Sequence, residues 1–306
     1  MVVALVLGVL PATAAPIPGT ACDVFPADNI WNMDVSGLPV NAKNADWKRS
    51  MHAGSTLLHP DFGDAPYGLP FAVTDSSTPT TSVHFTYASE SDTAPYPFRA
   101  STPIEGGSDR HALMIDADTC ALYELFGASW HGGDPQAGSG AIFDLTSNEL
   151  RPKTWTSADA AGLPIFPGLV RYDEVRTGSI DHAIRFTVQC TRNRFIWPAR
   201  HEAGVADRAC PSMGARFRLK ANFDVGGFSA DAQVILVAMQ QYGMIVADNG
   251  SDWYFQGTQD ANWKDNLLDQ LKTVPASAFQ AVDESGCKVD PDSGQFAYGP
   301  TCPAPP

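Results

Sequence analysis

The chain has 306 residues, with 34 Asp and Glu against 20 Lys and Arg and a formal net charge of −14 at pH 7. A field of that sign repels nucleic acid and anionic membrane surfaces, so neither is expected as a partner, and it favours a neutral or cationic ligand. Apolar residues make up 44% of the chain, enough for a well-buried core.

In chain order, Val2 to Leu10 is an apolar run followed by the small-residue stretch "PATAAP". It is too short to span a bilayer and reads as a signal peptide over residues 1–15, although no Lys or Arg precedes it. Residues 16–306 are then expected as a single secreted domain, monomeric and without a membrane span. The N-terminal region, with "HPDFGDAPYGLPF" and "SSTPTT", is rich in turn residues. Its apolar residues are too scattered for a separate core, so it should wrap the rest of the chain.

Short β-rich runs then recur between turn signals: "VHFTYAS", "HALMIDA", "ALYELFGA", "GAIFDL", "HAIRFTV", "RFRLKANF" and "MIVAD". That rhythm predicts a mainly β fold, an antiparallel β-sandwich or jelly-roll-like core with a few short helices. "TSADAAG" (156–162) reads as one or two helical turns. Ser229 caps a predicted helix with Val234, Ile235, Ala238 and Tyr242 on one face and its end at Gly243. A second helix starts beyond Asp260 and buries Trp263, Leu267, Leu268 and Leu271. The tail after Gly286 is polar and Pro-rich.

The six cysteines include no C-x-x-C spacing, and in an exported chain they should be disulfides. Cys190 with Cys210 and Cys287 with Cys302 close short loops, which leaves Cys22 with Cys120. This is one of several pairings that six cysteines allow.

The chemistry-bearing residues sit in the strand-like runs. In "RHALMID" the alternation puts His111, Leu113 and Ile115 on one side, and "ALYELF" returns with Glu124 among apolar neighbours. "HAIRFTV" repeats the pattern with His182, and places Arg185 on the other side with Thr187. If the two strands pair in one sheet, their histidines converge at one rim, as an acid–base pair or as two ligands of a metal. The metal reading lacks a third ligand, so no metal and no cofactor is expected. The competing structural reading makes Glu124 a solvated strand-end residue and His111 a local hydrogen-bonding group.

"GSGAIFDL" ends an apolar run at Asp144, and "PGLVRYDEV" carries Asp173 and Glu174 in the same style. Glycoside hydrolysis needs two carboxyl groups roughly 5–10 Å apart, one protonated and one ionised. Glu124 and Asp144 are the preferred pair, with His111 and His182 as supporting acid–base residues. Trp130 in "GASWHGG" and Trp155 in "KTWTSAD" offer flat faces that stack on sugars, and Arg185 and Asp173 complete the expected substrate contacts. The structural alternative packs these tryptophans as core. No G-x-S-x-G elbow, P-loop or dinucleotide fingerprint is present.

The phrases "DRHALMIDADTCALYELFGA", "GSGAIFDLTSNELRP", "WTSADAAGLPIFPGLVRYDEV", "HAIRFTV" and "YGMIVADNGSDWYF" together resemble a family of secreted, largely uncharacterised bacterial proteins, over residues 25 to 285. The resemblance implies secretion and a single domain, and it brings no catalytic residues with it. The expectation is therefore a secreted glycoside hydrolase acting on a neutral polysaccharide or oligosaccharide. Two alternatives stand beside it: a polysaccharide lyase using His111 or His182 as base and Arg185 against a uronate, and a non-catalytic glycan-binding or cell-surface protein.

Overall fold

Alternating apolar runs bounded by Gly, Asn and Asp become strands because branched and aromatic side chains pack well on a pleated surface. The computed structural model describes residues 16–306; the signal peptide expected over 1–15 lies outside the described residues. Among the described residues strand accounts for 27% and helix for 15%, with one sheet curled into a half-barrel and four short α-helices.

The strands are β1 (His59–Asp61), β2 (Phe71–Thr74), β3 (His84–Phe85), β4 (Ala112–Asp116) and β5 (Ala121–Phe126). Then come β6 (Ser129–His131), β7 (Asp134–Ala137), β8 (Ser139–Asp144), β9 (Ile184–Val188) and β10 (Arg192–Phe195). β11 (Ser212–Met213), β12 (Arg216–Leu219), β13 (Met244–Asn249), β14 (Tyr254–Gln256) and β15 (Phe279–Ala281) complete the set. The helices are α1 (Asn44–Ser50), α2 (Tyr172–Thr177), α3 (Ala230–Gln241) and α4 (Asp265–Leu271).

Two larger sheets form, in the orders β1-β14-β9-β13-β12-β15 and β2-β4-β5-β8. Both are mixed: β9 runs parallel to β13, and β2 parallel to β4, among antiparallel neighbours. Period-two alternation explains why "HALMID" is almost continuously apolar. Leu113 and Ile115 of β4 join the large cluster that contains Ile184 and Phe186 of the six-stranded sheet. Ala112 and Met114 face the opposite way, against Tyr96, Phe98 and Leu125. The smaller sheet is thus covered on both faces.

The N-terminal wrap contributes its own core residues, with Ile17 and Trp31 buried. It is tied down by Arg216, which donates to the carbonyls of Ile30 (2.8 Å) and Met33 (2.9 Å). Disulfides join Cys22–Cys120, Cys190–Cys210 and Cys287–Cys302, as loop length predicted, and no free cysteine remains among the described residues. Such bonds persist in an oxidising compartment. Among the described residues no helix is long and apolar enough to cross a membrane.

The helices differ in detail from expectation. Ser229 does cap α3, and Ile235 and Ala238 are buried as expected together with Ala232, Leu236 and Met239, while Val234 and Tyr242 are only partly buried against the core. Gly243 follows with φ +67°, and a Cβ there would lie 2.6 Å from the carbonyl of Phe217, so the turn needs glycine. α4 buries Leu267 and Leu271. "RYDEV" starts α2 rather than ending a strand. "TSADAAG" forms no helix; its turn closes with the Gly162 amide donating to the Asp159 carbonyl at 3.1 Å.

Candidate functional site

The site arises where a strand irregularity meets that turn. Along β9 and β13, Val246 opposes Phe186 while Asp248 opposes Thr187, so Ala247 is an extra residue in β13. A bulge re-aims the side chain beside it, and Asp248 lines a cleft of about 470 Å³. Phe126 and Ser139 of the smaller sheet line the same cleft, together with the Ser157–Ala160 turn and His201.

The turn is shaped from within. The Ser157 hydroxyl accepts from the Asp159 amide (2.9 Å) and donates to the Leu163 carbonyl (2.5 Å), which delivers the Asp159 carboxylate into the protein, fully buried. Arg185 meets it with a fork, Nε at 2.9 Å and Nη2 at 2.5 Å, and sends Nη1 to Gln256 Oε1 at 2.6 Å. Asp159 acts on Asp248 as a negative neighbour. Burial first, then the negative Asp159, push the Asp248 carboxyl up to about 7, against the pull of Arg185. The two acids therefore sit differently: Asp159 is paired with Arg185, whereas Asp248 is largely buried with no cation of its own among the described residues, and its proton affinity is raised.

The walls add further groups. His201 Nδ1 donates to the Ala160 carbonyl at 2.8 Å, which leaves Nε2 facing Glu90 Oε2 at 3.7 Å. Glu90 also accepts from the Thr156 amide at 3.2 Å. Tyr87 and Phe126 provide ring surface, and among the described residues no Lys or Arg lines the cleft. The arrangement places a proton donor held near neutrality and a partly exposed carboxylate, Glu90, on one cleft, the elements of general acid–base catalysis.

Of the residues singled out from sequence, Arg185 and His111 lie at this cluster. His111 Nδ1 is 2.7 Å from Glu105 Oε2, and Nε2 is 3.2 Å from the carbonyl of Ala158, beside Asp159. Burial opposes charging His111, but Glu105 more than offsets it and raises the imidazole above its usual value.

Others belong elsewhere. Glu124 is fully buried and accepts from the amides of Ile165 (2.9 Å) and Phe166 (2.8 Å); burial pushes it up to about 7 against the pull of those two amides. It is a structural acceptor, neither solvated nor open to a sugar. Asp144 is exposed and accepts from the amide and hydroxyl of Thr146 at 2.8 and 2.6 Å. It pairs with Ala121, an odd number of positions from Glu124, so the two carboxyls point to opposite faces of the sheet. They cannot flank one glycosidic bond.

His182 heads β9 in the six-stranded sheet, whereas His111 precedes β4 in the other. His182 is bonded to Glu174 (3.2 Å) and the Ala183 carbonyl (2.8 Å), sharing no partner with His111, so the expected common rim does not form. Trp130 packs edge-on to Phe98 at 5.4 Å. Trp155 lies with its ring 5.7 Å from the Arg151 guanidinium. Asp173 lines a different groove with Tyr172 and Arg176. Among the described residues no group of three or more His, Cys, Asp or Glu is placed to hold a metal ion.

Sequence reasoning missed Asp159, Asp248, Glu90 and His201. "MIVADN" did carry a signal, an acid closing an apolar strand as in "AIFDL". No protein-family model, curated protein or solved structure matches the chain.

Proposed function

We propose that the protein is a secreted glycoside hydrolase acting on a neutral polysaccharide or oligosaccharide at the Asp248 cleft. The observation that carries this reading is that one cleft is lined by Asp248, lifted to about 7, and by Asp159, which Arg185 forks. Cleavage of a glycosidic bond needs an acid that still holds its proton near neutral pH, to protonate the leaving oxygen, and a base for the attacking water. Asp248 is the acid. Glu90, across the same cleft beside His201, is the base. Asp159 is fully buried and held by the Arg185 fork, so it raises the proton affinity of the acid rather than attacking.

Tyr87 and Phe126 supply the ring faces against which sugar C–H surfaces pack. Export is supported by the apolar leading run and by the three disulfides. The lyase alternative loses its cation, because Arg185 is spent on Asp159 and Gln256 and is buried. A panel of neutral glycans assayed for new reducing ends tests the proposal. Wild type should release sugar from at least one, and Asp248→Asn and Glu90→Gln should nearly abolish release. No turnover on any glycan, with affinity retained in both variants, identifies a binding module instead.

A further inference from the structure

A second cleft, of about 500 Å³, lies between α1, the β10–β11 pair and the segment after β15. Its lining inverts the charge of the first: Lys43, Arg192, Arg216 and Lys288 outnumber Asp283 and Glu284, in a chain whose net charge is −14. Among the described residues neither Arg192 nor Lys288 has an ion-pair partner. Phe195, Ile196 and Trp197 stand at the same cleft, each partly solvent-exposed. Cations without counter-charges beside uncovered rings are what an anion with an apolar face would meet.

Glu284 adds the second half of the recognition. It is only 4% exposed, yet neither carboxyl oxygen has a hydrogen-bond partner. Its nearest cation, Arg216 Nη1, stands 3.5 Å from Oε2 and is already donating to the Ile30 carbonyl. Burial accordingly lifts the Glu284 carboxyl to about 7, against the pull of Arg216. A buried acceptor without a donor is costly, and the missing partner is an O–H or N–H. A simple anion such as phosphate or acetate brings charge for the cations but no hydroxyl array for Glu284. A neutral sugar brings hydroxyls but leaves Arg192 and Lys288 without a counter-charge.

We propose that this cleft binds a uronate sugar residue, with its carboxylate between Arg192 and Lys288, a ring hydroxyl donating to Glu284, and one ring face against Phe195 and Trp197. The site is separate from the Asp248 cleft and stands whether or not that cleft is hydrolytic. A glycan carrying both neutral and acidic residues would be cut at one place and held at the other.

The test titrates the full protein with a galacturonate trisaccharide and with the uncharged galactose trisaccharide, followed by calorimetry and tryptophan fluorescence. The acidic sugar should bind at least about tenfold more tightly. Arg192→Ala with Lys288→Ala should remove that difference, leaving the melting temperature unchanged because both cations are unpaired. Asp248→Asn should bind as wild type does. Equal affinity for the two sugars, or no binding of either, overturns the proposal. So does acidic-sugar binding that survives loss of both cations, or that vanishes in Asp248→Asn.

Discussion

Asp159 is the negative neighbour of Asp248, and of the two only Asp159 receives the Arg185 fork. Burial and the negative charge of Asp159 push the Asp248 carboxyl up to about 7, so Asp248 keeps its proton well above the usual carboxylate range. The pair is assembled from distant parts of the chain. A bulge turns Asp248 toward the cleft, and a Gly162-closed turn carries Asp159 beneath it.

Replacing Asp248 by Asn keeps the shape and removes the transferable proton. Turnover should fall by about a hundredfold or more, in line with the usual contribution of general acid catalysis. In the wild type, activity should decline as pH rises through about 7, where Asp248 loses its proton. Stability supplies an independent readout. The folded-state pKa lies above the ordinary value of 3.8, so between those two values the folded state binds the extra proton and stability falls as pH rises. Melting curves from pH 4 to 8 should therefore show Asp248→Asn gaining on the wild type through that window. A constant offset would show that Asp248 does not carry the raised pKa.

Glu124 should behave as a structural residue. Glu124→Ala strands the amides of Ile165 and Phe166 in a buried setting, at about 1–3 kcal/mol for each unsatisfied donor. Urea unfolding should show a loss of several kcal/mol, with activity per folded molecule changed far less than in Asp248→Asn. Asp144→Asn, at an exposed turn whose acceptor role asparagine retains, should change stability by less than about 0.5 kcal/mol. If Asp144→Asn abolished turnover while leaving stability intact, the Asp248 site would be displaced.

How far the sequence was readable follows from the range of each cause. "HALMID", "ALYELF" and "HAIRFT" fold as strands because alternation is local, and the cysteine pairing followed from loop length. Which carboxyls meet is not local. Glu124 looked solvated or catalytic because a strand pattern does not reveal that Ile165 and Phe166 bring bare amides to it. Asp159 was hidden in a Ser-Ala-rich turn that resembled a helix. Asp248 was hidden because a bulge leaves no mark on composition. Arg185 was legible as unusual, since a cation in a buried strand needs a partner, but the identity of that partner required the fold.

The Cys190–Cys210 bond closes a loop of sequence separation 20 that includes His201 and Ala203 of the cleft wall. Replacing both cysteines by serine should lower stability by about 3 kcal/mol on the chain-entropy account. Turnover should also fall, because the wall carrying His201 is no longer anchored. Native thiol titration of the wild type should find no free thiol from the described cysteines. Two or more titrating thiols, or a stability loss under about 1 kcal/mol, would contradict the role assigned to the bond.

The Arg185–Asp159 pair separates structural charge from catalytic charge. Arg185→Met leaves Asp159 buried without its counter-ion and Gln256 without its donor, and breaking one side of a buried pair typically costs about 3–5 kcal/mol. In the double variant Arg185→Met, Asp159→Leu no uncompensated charge remains, so most of that stability should return. Catalysis should not return with it. Without Asp159 nearby, the carboxyl of Asp248 loses its negative neighbour, while the opposing pull of Arg185 is also gone. Burial and the Asn249 amide then set its pKa, and the alkaline limb of the pH–rate profile should shift from about 7. Stability recovered with a displaced pH profile is the expected outcome. If the double variant kept the wild-type profile, Asp248 would not be the group that titrates in catalysis.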